Sequence, residues 1–174
     1  MLLSNQLDRL DRDFARVTTL LRQYDDSILN RQPAPGAWSA LQVVQHLMLA
    51  EGLSLKYIKK KLSFGVPPKA GFSSTFRRWV LKLYLRAPLK TKAPKIVSES
   101  IQDTAVASEL LAQWTAIRSE TRQFLETLPE STVRSECYKH AVAGKMDLRG
   151  MLTFFEEHFN HHEKQILNCL FIKR

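Results

Sequence analysis

Near the end of the 174-residue chain, residues 148–170 read LRGMLTFFEEHFNHHEKQILNCL. Apolar side chains recur there at steps of three and four residues, which is the period of an amphipathic α-helix. Two histidines four residues apart continue the apolar stripe, so they project from successive turns of one helix face. The stripe consists of Met151, Phe155, His158, His162, Ile166 and Cys169. The pattern predicts a long helix that turns two imidazoles toward the protein core.

Three earlier stretches have the same period and predict three more long helices. They cover about residues 3–26, 40–62 and 106–128. Ser39 is a residue type that caps helix N-termini, and Pro129 is one that stops a helix. Because no convincing strand alternation is present, we predict an all-α fold in which the four helices pack as a bundle.

The composition is that of a globular protein. Hydrophobic residues make up 44% of the chain and charged residues 25%, which favours a folded core over disorder. We expect residues 1–174 to form a single domain. Cys137 and Cys169 do not suggest a disulfide framework, and neither a secretory signal nor a membrane-spanning run is evident. These features predict a cytoplasmic protein.

The net charge of +9 comes from one region, because residues 52–98 contain twelve basic residues and no acidic one. Residues 64–98 are too long for a plain connection and predict an extra basic helical insertion between helices 2 and 3 of the bundle. Its apolar face would consist of Phe72, Phe76, Trp79, Val80, Leu83 and Tyr84. Basic side chains on its other sides are Arg77, Arg78, Lys82 and Arg86.

We expect the apolar face of this insertion to pack on the bundle, with a solvated basic rim. The alternative is a surface for an anionic partner, which would be a membrane surface, a nucleic acid or an acidic thiol cofactor. Interleaved aromatic and basic residues are compatible with each of these partners. The packed helix is the favoured interpretation.

A third histidine, His46, lies on the inward side of the second predicted helix. A buried neutral imidazole needs partners for both ring nitrogens, so three in one small core would be costly unless something satisfies them together. One divalent ion does this. For any one histidine alone, an ordinary hydrogen bond to backbone or water is the better explanation. For the three together, we predict a metal site formed by His46, His158 and His162, with a coordination position left open as in catalytic sites.

Several other polar residues lie close to these histidines in sequence. His161 points about 100° away from the predicted ligands around the helix, so we expect it at the surface or beside the site. His140 precedes the last helix and is expected to be solvated, with a place beside the metal ligands, a lid over the site or a helix cap as alternatives. Glu51, Glu157 and Glu163 are carboxylates that could orient a ligand, although helix surfaces are rich in solvated acids. The sequence identifies no catalytic residue.

Three stretches resemble the DinB family of bacterial helical-bundle proteins, also called DinB/YfiT-like metalloenzymes. Residues 36–39 read Gly-Ala-Trp-Ser and precede His46, similar to the family's helix start and first ligand. Residues 158–166 resemble the family's ending, in which a histidine and then a histidine pair precede glutamine and an aliphatic residue. Residues 140–146 resemble a His-Pro-x-Phe-Gly loop with both Pro and Phe replaced by Ala. Residues 163–164 are Glu-Lys where the family commonly has Arg-Gly.

The resemblance implies a four-helix bundle, often dimeric, that binds nickel, zinc or a similar ion through His46, His158 and His162. Better-understood relatives include thiol-dependent S-transferases and a mycothiol-dependent isomerase, which implies a low-molecular-weight thiol as a further cofactor. The expected function is that of a metal-dependent S-transferase or hydrolase acting on a small molecule. The alternative is a non-catalytic metal-containing stress or binding protein whose basic segment engages an anionic partner.

Overall fold

The structure is a computed structural model that describes residues 2–86 and 95–171, without the side chains at positions 72, 73, 75, 82, 84–86, 95 and 96. Its elements, in chain order, are α1 (Ser4–Leu21), α2 (Asp26–Leu29), α3 (Ala40–Ser63), α4 (Phe72–Arg86), α5 (Lys95–Ser98), α6 (Ala107–Glu126), α7 (Glu130–Val133), β1 (Tyr138–His140), β2 (Gly144–Met146) and α8 (Leu148–Leu170). None of the helices in these ranges is long and apolar enough to span a lipid bilayer.

Four long helices, α1, α3, α6 and α8, form the predicted bundle. Both α1 and α3 pack against α6 and α8, which closes the bundle around a common interior. The apolar members of the α8 stripe are buried, as predicted. Cys137 and Cys169 are free and buried, so the described chain has no disulfide between them.

The first helix is shorter than predicted. It ends at Leu21 instead of near Asp26, and a turn separates it from α2. Asp26 starts α2, and its Oδ1 atom accepts a hydrogen bond of 3.0 Å from the backbone N–H of Ala107 at the start of α6. This contact caps a helix 81 residues away, so the local sequence pattern could not indicate it.

The fold is mostly helical, as the all-α prediction requires, but the sequence did not indicate one short pair of strands. Strands β1 and β2 form an antiparallel hairpin in which Tyr138 is opposite Met146 and His140 is opposite Gly144. Gly144 has a φ of 79°, a backbone conformation that glycine adopts without a steric penalty. Each strand has only three residues, which is too short for a period of two to be recognised in the sequence.

Ser39 begins α3 as predicted. Its Oγ atom accepts the backbone N–H of Gln42 at 3.2 Å, while the Gln42 side-chain oxygen accepts the backbone N–H of Ser39 at 3.0 Å. These reciprocal bonds form a capping box. The box fixes the start of the helix that carries His46.

We expect Ser39→Ala to lower the free energy of unfolding by about 1 kcal/mol, because the N–H of Gln42 loses its acceptor. Urea unfolding measured by circular dichroism tests this expectation. Ser108→Ala, an exposed serine in the first turn of α6, is the matched control and should change stability by less than about 0.5 kcal/mol. Equal losses in the two variants would contradict a specific capping role.

Helix α4 lies within the predicted insertion and packs against α8 and β2. Its inward side is partly polar. The Ser74 hydroxyl accepts the backbone N–H of Asp147 at 3.3 Å, and Arg77 donates a hydrogen bond of 3.1 Å to the carbonyl oxygen of Lys145. Leu81 is also buried on this side. These contacts fix α4 at the junction between the hairpin and α8.

The predicted apolar face of α4 does not pack on the bundle. Its four residues with described side chains are all exposed: Phe76, Trp79, Val80 and Leu83. The prediction is wrong because the backbone groups at the hairpin junction bind the polar side of the helix, which leaves the apolar side outward. Arg77 and Arg78 are partly buried. The side chains of Phe72, Lys82, Tyr84 and Arg86 lie outside the described residues.

Candidate metal centre

Three imidazoles converge between α3 and α8. The Nε2 atoms of His46 and His158 are 2.9 Å apart. The ring of His162 lies 4.7 Å from that of His46 and 4.6 Å from that of His158, measured between centroids. One nitrogen from each ring lies within 4.8 Å of the other two. The structure therefore brings together the three histidines that the helical faces singled out.

Burial determines the charge state of this cluster. It lowers the pKa of His46 and of His162 to about 4 and that of His158 well below its ordinary value. Neighbouring histidines lower each of these pKa values further, because two adjacent imidazolium ions would repel each other. All three rings are therefore neutral at pH 7, which is the form that binds metal ions.

Hydrogen bonding orients one of the rings. The Nδ1 atom of His162 lies 2.9 Å from Oε1 of Gln165, so an N–H at Nδ1 donates to the amide oxygen and leaves the lone pair on Nε2. Metal-binding histidines usually have such a partner on their second nitrogen. The Nδ1 atom of His46 is buried and makes no hydrogen bond with any described residue.

The three rings also have aromatic neighbours. Phe154 stacks on His158 with ring centroids 4.9 Å apart and planes 21° apart, and Trp38 lies 5.2 Å from the ring of His46. Sequence reasoning did not single out Phe154 or give Gln165 a role. Helical spacing could have identified both residues. Phe154 precedes His158 by four residues and Gln165 follows His162 by three, so each lies on the same helix face as a predicted ligand.

The donor set fits a divalent ion. Imidazole nitrogens bind zinc at about 2.0–2.1 Å, so nitrogens on one ion are separated by roughly 3 to 4 Å. The Nε2 atoms of His46 and His158 are 2.9 Å apart, and one nitrogen from each of the three rings lies within 4.8 Å of the others. These two distances bracket the range expected for nitrogens on one ion. Three neutral imidazoles suit zinc, nickel, iron and copper alike. His46, His158 and His162 could therefore hold an ion and leave part of its coordination sphere open.

His140 is not solvated, contrary to the expectation from sequence. Its ring is buried against Phe154, with centroids 4.5 Å apart. The Nδ1 atom accepts backbone N–H groups from Val142 at 3.2 Å and Ala143 at 3.1 Å. Phe154 also stacks on His158, so His140 contacts the cluster through one ring. The hairpin that buries His140 was not predicted, which explains the error.

Acidification of the metal-free protein from about pH 7.5 to about pH 5 is expected to destabilise it partly through His140. Burial lowers the pKa of this residue from 6.5 to about 4. Between these values the unfolded chain binds a proton that the folded protein does not, so stability is lost as the pH falls below 6.5. The contribution of His140 at pH 5 is about 2 kcal/mol.

The test is urea unfolding at both pH values with a chelator present. His140→Asn keeps an oxygen that can accept the two N–H groups but does not titrate, so this variant should lose correspondingly less stability than the wild type. The other buried histidines titrate in both proteins, so their contributions to the pH dependence of stability cancel when the two proteins are compared. An identical pH dependence of the two proteins would show that His140 does not contribute.

The remaining acidic and histidine residues are placed as follows. His161 is exposed, as its helical position predicts, and its ring lies 5.0 Å from that of His162. Glu163 is partly buried and forms an ion pair of 2.9 Å with Arg16.

Two glutamates, Glu51 and Glu157, are buried, so the expectation of solvated charges is wrong for them. Glu51 binds Trp114 and Arg118. These partners lie on α6, more than 60 positions away in sequence, so no local pattern indicated the burial of Glu51.

The comparisons with known proteins agree with this architecture. The family model of the DinB superfamily matches residues 9–166, whereas no curated protein matches the chain. Among solved structures, the fold is similar to YfiT from Bacillus subtilis, described as a probable metal-dependent hydrolase with an unusual four-helix bundle topology. The two are 20% identical with a TM-score of 0.57, over 95% of this chain and 86% of that chain. Because the family match spans most of the sequence, the chain belongs to the DinB superfamily.

Proposed function

We propose that this protein is a divalent-metal-dependent hydrolase that acts on a small molecule, with His46, His158 and His162 as the metal ligands. The observation that carries the proposal is the convergence of three neutral imidazoles, one nitrogen of each within 4.8 Å of the others. Three ligands leave an open position, as in catalytic zinc sites. We further propose that residues 1–174 form one domain and that residues 64–98 are an addition to the family bundle.

A bound divalent ion would lower the pKa of a coordinated water molecule and supply a nucleophile at neutral pH. The protein's own residues prepare the site for this chemistry. Burial keeps the three rings unprotonated, and Gln165 orients the ring of His162 through Nδ1. Phe154 and Trp38 lie against two of the rings and form apolar walls of the site. We assign no general base.

Two further lines of evidence support the proposal. The chain is a member of the DinB superfamily, and its fold is similar to that of a protein described as a probable metal-dependent hydrolase.

An open position on the ion would also accept a thiolate, so a thiol-dependent S-transferase that uses a low-molecular-weight thiol is the competing function. Nickel and zinc are the ions we propose to test first, because both accept imidazole nitrogen.

The test is hydrolysis of a panel of small esters, amides and thioesters by protein stripped with a chelator and reloaded with zinc or nickel. Hydrolysis should appear only after reloading and should fall at least 100-fold in His158→Ala, while His161→Ala retains it. Activity that survives both chelation and His158→Ala would contradict the proposal. Conjugation of a thiol to an electrophile without hydrolysis would identify an S-transferase, and a metal-loaded protein inactive in both assays would favour a non-catalytic binding role.

A further inference from the structure

An apolar stripe runs along the outward side of α4. It consists of Phe76, Trp79, Val80 and Leu83, which are 58%, 58%, 40% and 51% exposed. Their spacing of three, four and seven residues places them on one helix face, and the rings of Phe76 and Trp79 are 6.2 Å apart. Single exposed apolar residues are ordinary, but a contiguous exposed group marks an interaction surface. We call this group the outer stripe.

The outer stripe is held in place by contacts on the opposite side of the helix. Leu81 is buried, Ser74 accepts the N–H of Asp147, and Arg77 binds the carbonyl oxygen of Lys145. Rotation of α4 to bury the stripe would break both hydrogen bonds and expose Leu81. The bundle therefore presents the aromatic side of α4 to the outside.

The segment of the sequence that contains the stripe carries charges of only one sign. Residues 52–98 contain twelve basic residues and no acidic one. Of these, Lys69 is exposed shortly before α4, and Arg77 and Arg78 are partly buried within the helix, where Arg77 binds the carbonyl oxygen of Lys145 on the side opposite the stripe. A partner for this surface must therefore offer both an apolar phase and negative charge.

We propose that α4 docks the protein on an anionic membrane surface, with the outer stripe in the interfacial layer, and that the net positive charge of residues 52–98 attracts anionic lipid. An apolar helix face with Trp and Phe flanked by Lys and Arg is the composition of interfacial helices. Val80 and Leu83 have no π face for nucleobases, but they pack well against acyl chains, so lipid is favoured over nucleic acid. A second copy is disfavoured because an isologous contact would bring the same basic segments together.

Sedimentation with vesicles tests the proposal. The protein should bind vesicles of phosphatidylcholine mixed with phosphatidylglycerol, release them as salt is raised, and bind vesicles of phosphatidylcholine alone at least 10-fold more weakly. The double variant Trp79→Ser, Leu83→Ser should reduce affinity for the mixed vesicles at least 10-fold, since each apolar side chain contributes to insertion. Val106→Ser, at a residue 47% exposed outside the stripe, should bind like the wild type.

Intrinsic fluorescence provides a second readout, because Trp79 is the most exposed of the three tryptophans, while Trp38 is partly buried against His46 and Trp114 is buried. The emission should shift to the blue on mixed vesicles, and Trp79→Phe should abolish that shift while retaining binding. Equal binding by the double variant and the wild type would overturn the proposal. So would tighter binding of short duplex DNA that depends on the same residues, or a homodimer in solution that the double variant dissociates.

Discussion

Glu51→Ala is expected to lower the free energy of unfolding by about 3 kcal/mol, because the substitution leaves a buried guanidinium without its nearest buried carboxylate. Glu51 is 5% exposed. Its two oxygens accept hydrogen bonds of 3.0 Å from Nη1 of Arg118 and 3.0 Å from Nε1 of Trp114. The other carboxylate that Arg118 contacts, Asp11, is 3.3 Å away, has a side chain that is 46% exposed, and already binds Arg122. A half-exposed carboxylate that is shared with a second arginine compensates poorly for the loss.

Urea unfolding at neutral pH measures this effect. The matched control is Glu120→Ala, which removes an ion pair with Lys59 between the same two helices but at the surface. Such exposed pairs contribute about 0–1 kcal/mol. If Glu51→Ala were no more destabilising than Glu120→Ala, the polar contacts between α3 and α6 would not stabilise the bundle as the structure indicates.

His162→Ala is expected to reduce the affinity for zinc or nickel more than 100-fold. Loss of a residue that merely orients a ligand typically costs 10- to 100-fold, and removal of a ligand costs more. The substitution deletes one of the three neutral imidazoles and leaves His46 and His158, whose nitrogens are 2.9 Å apart. Competition with a chromogenic chelator measures the change.

His161→Ala is the control for His162→Ala, because the two residues are adjacent in α8 but His161 is exposed. Removal of His161 should leave the affinity within about threefold of the wild type, since a solvated imidazole outside the cluster contributes little. A similar loss of affinity in both variants would indicate binding at the helix surface instead of within the bundle.

The sequence predicted those features that depend on helical periodicity. The start of α3 at Ser39 and the inward direction of His46, His158 and His162 follow from a period of 3.6 residues and from capping chemistry. The convergence of the three rings then follows from packing α3 against α8. The resemblance to the DinB family indicated the same three histidines as metal ligands.

The features that the sequence did not predict depend on contacts between distant segments. Glu51 is buried because Trp114 and Arg118 bind it across the bundle. His140 is buried because a hairpin of three-residue strands places it on Phe154. The outer stripe of α4 faces outward because Ser74 and Arg77 bind backbone groups next to α8. Such contacts have no local periodic pattern.

The most direct test of the metal site is the stoichiometry of metal bound to untagged protein, measured by equilibrium dialysis against zinc and against nickel followed by elemental analysis. The wild type should bind one ion per chain at a saturable site. The triple variant His46→Ala, His158→Ala, His162→Ala should bind none at the same free concentration while it retains a helical circular dichroism spectrum. Absence of a saturable site in the wild type, or an equal stoichiometry in the triple variant, would contradict a three-histidine metal centre.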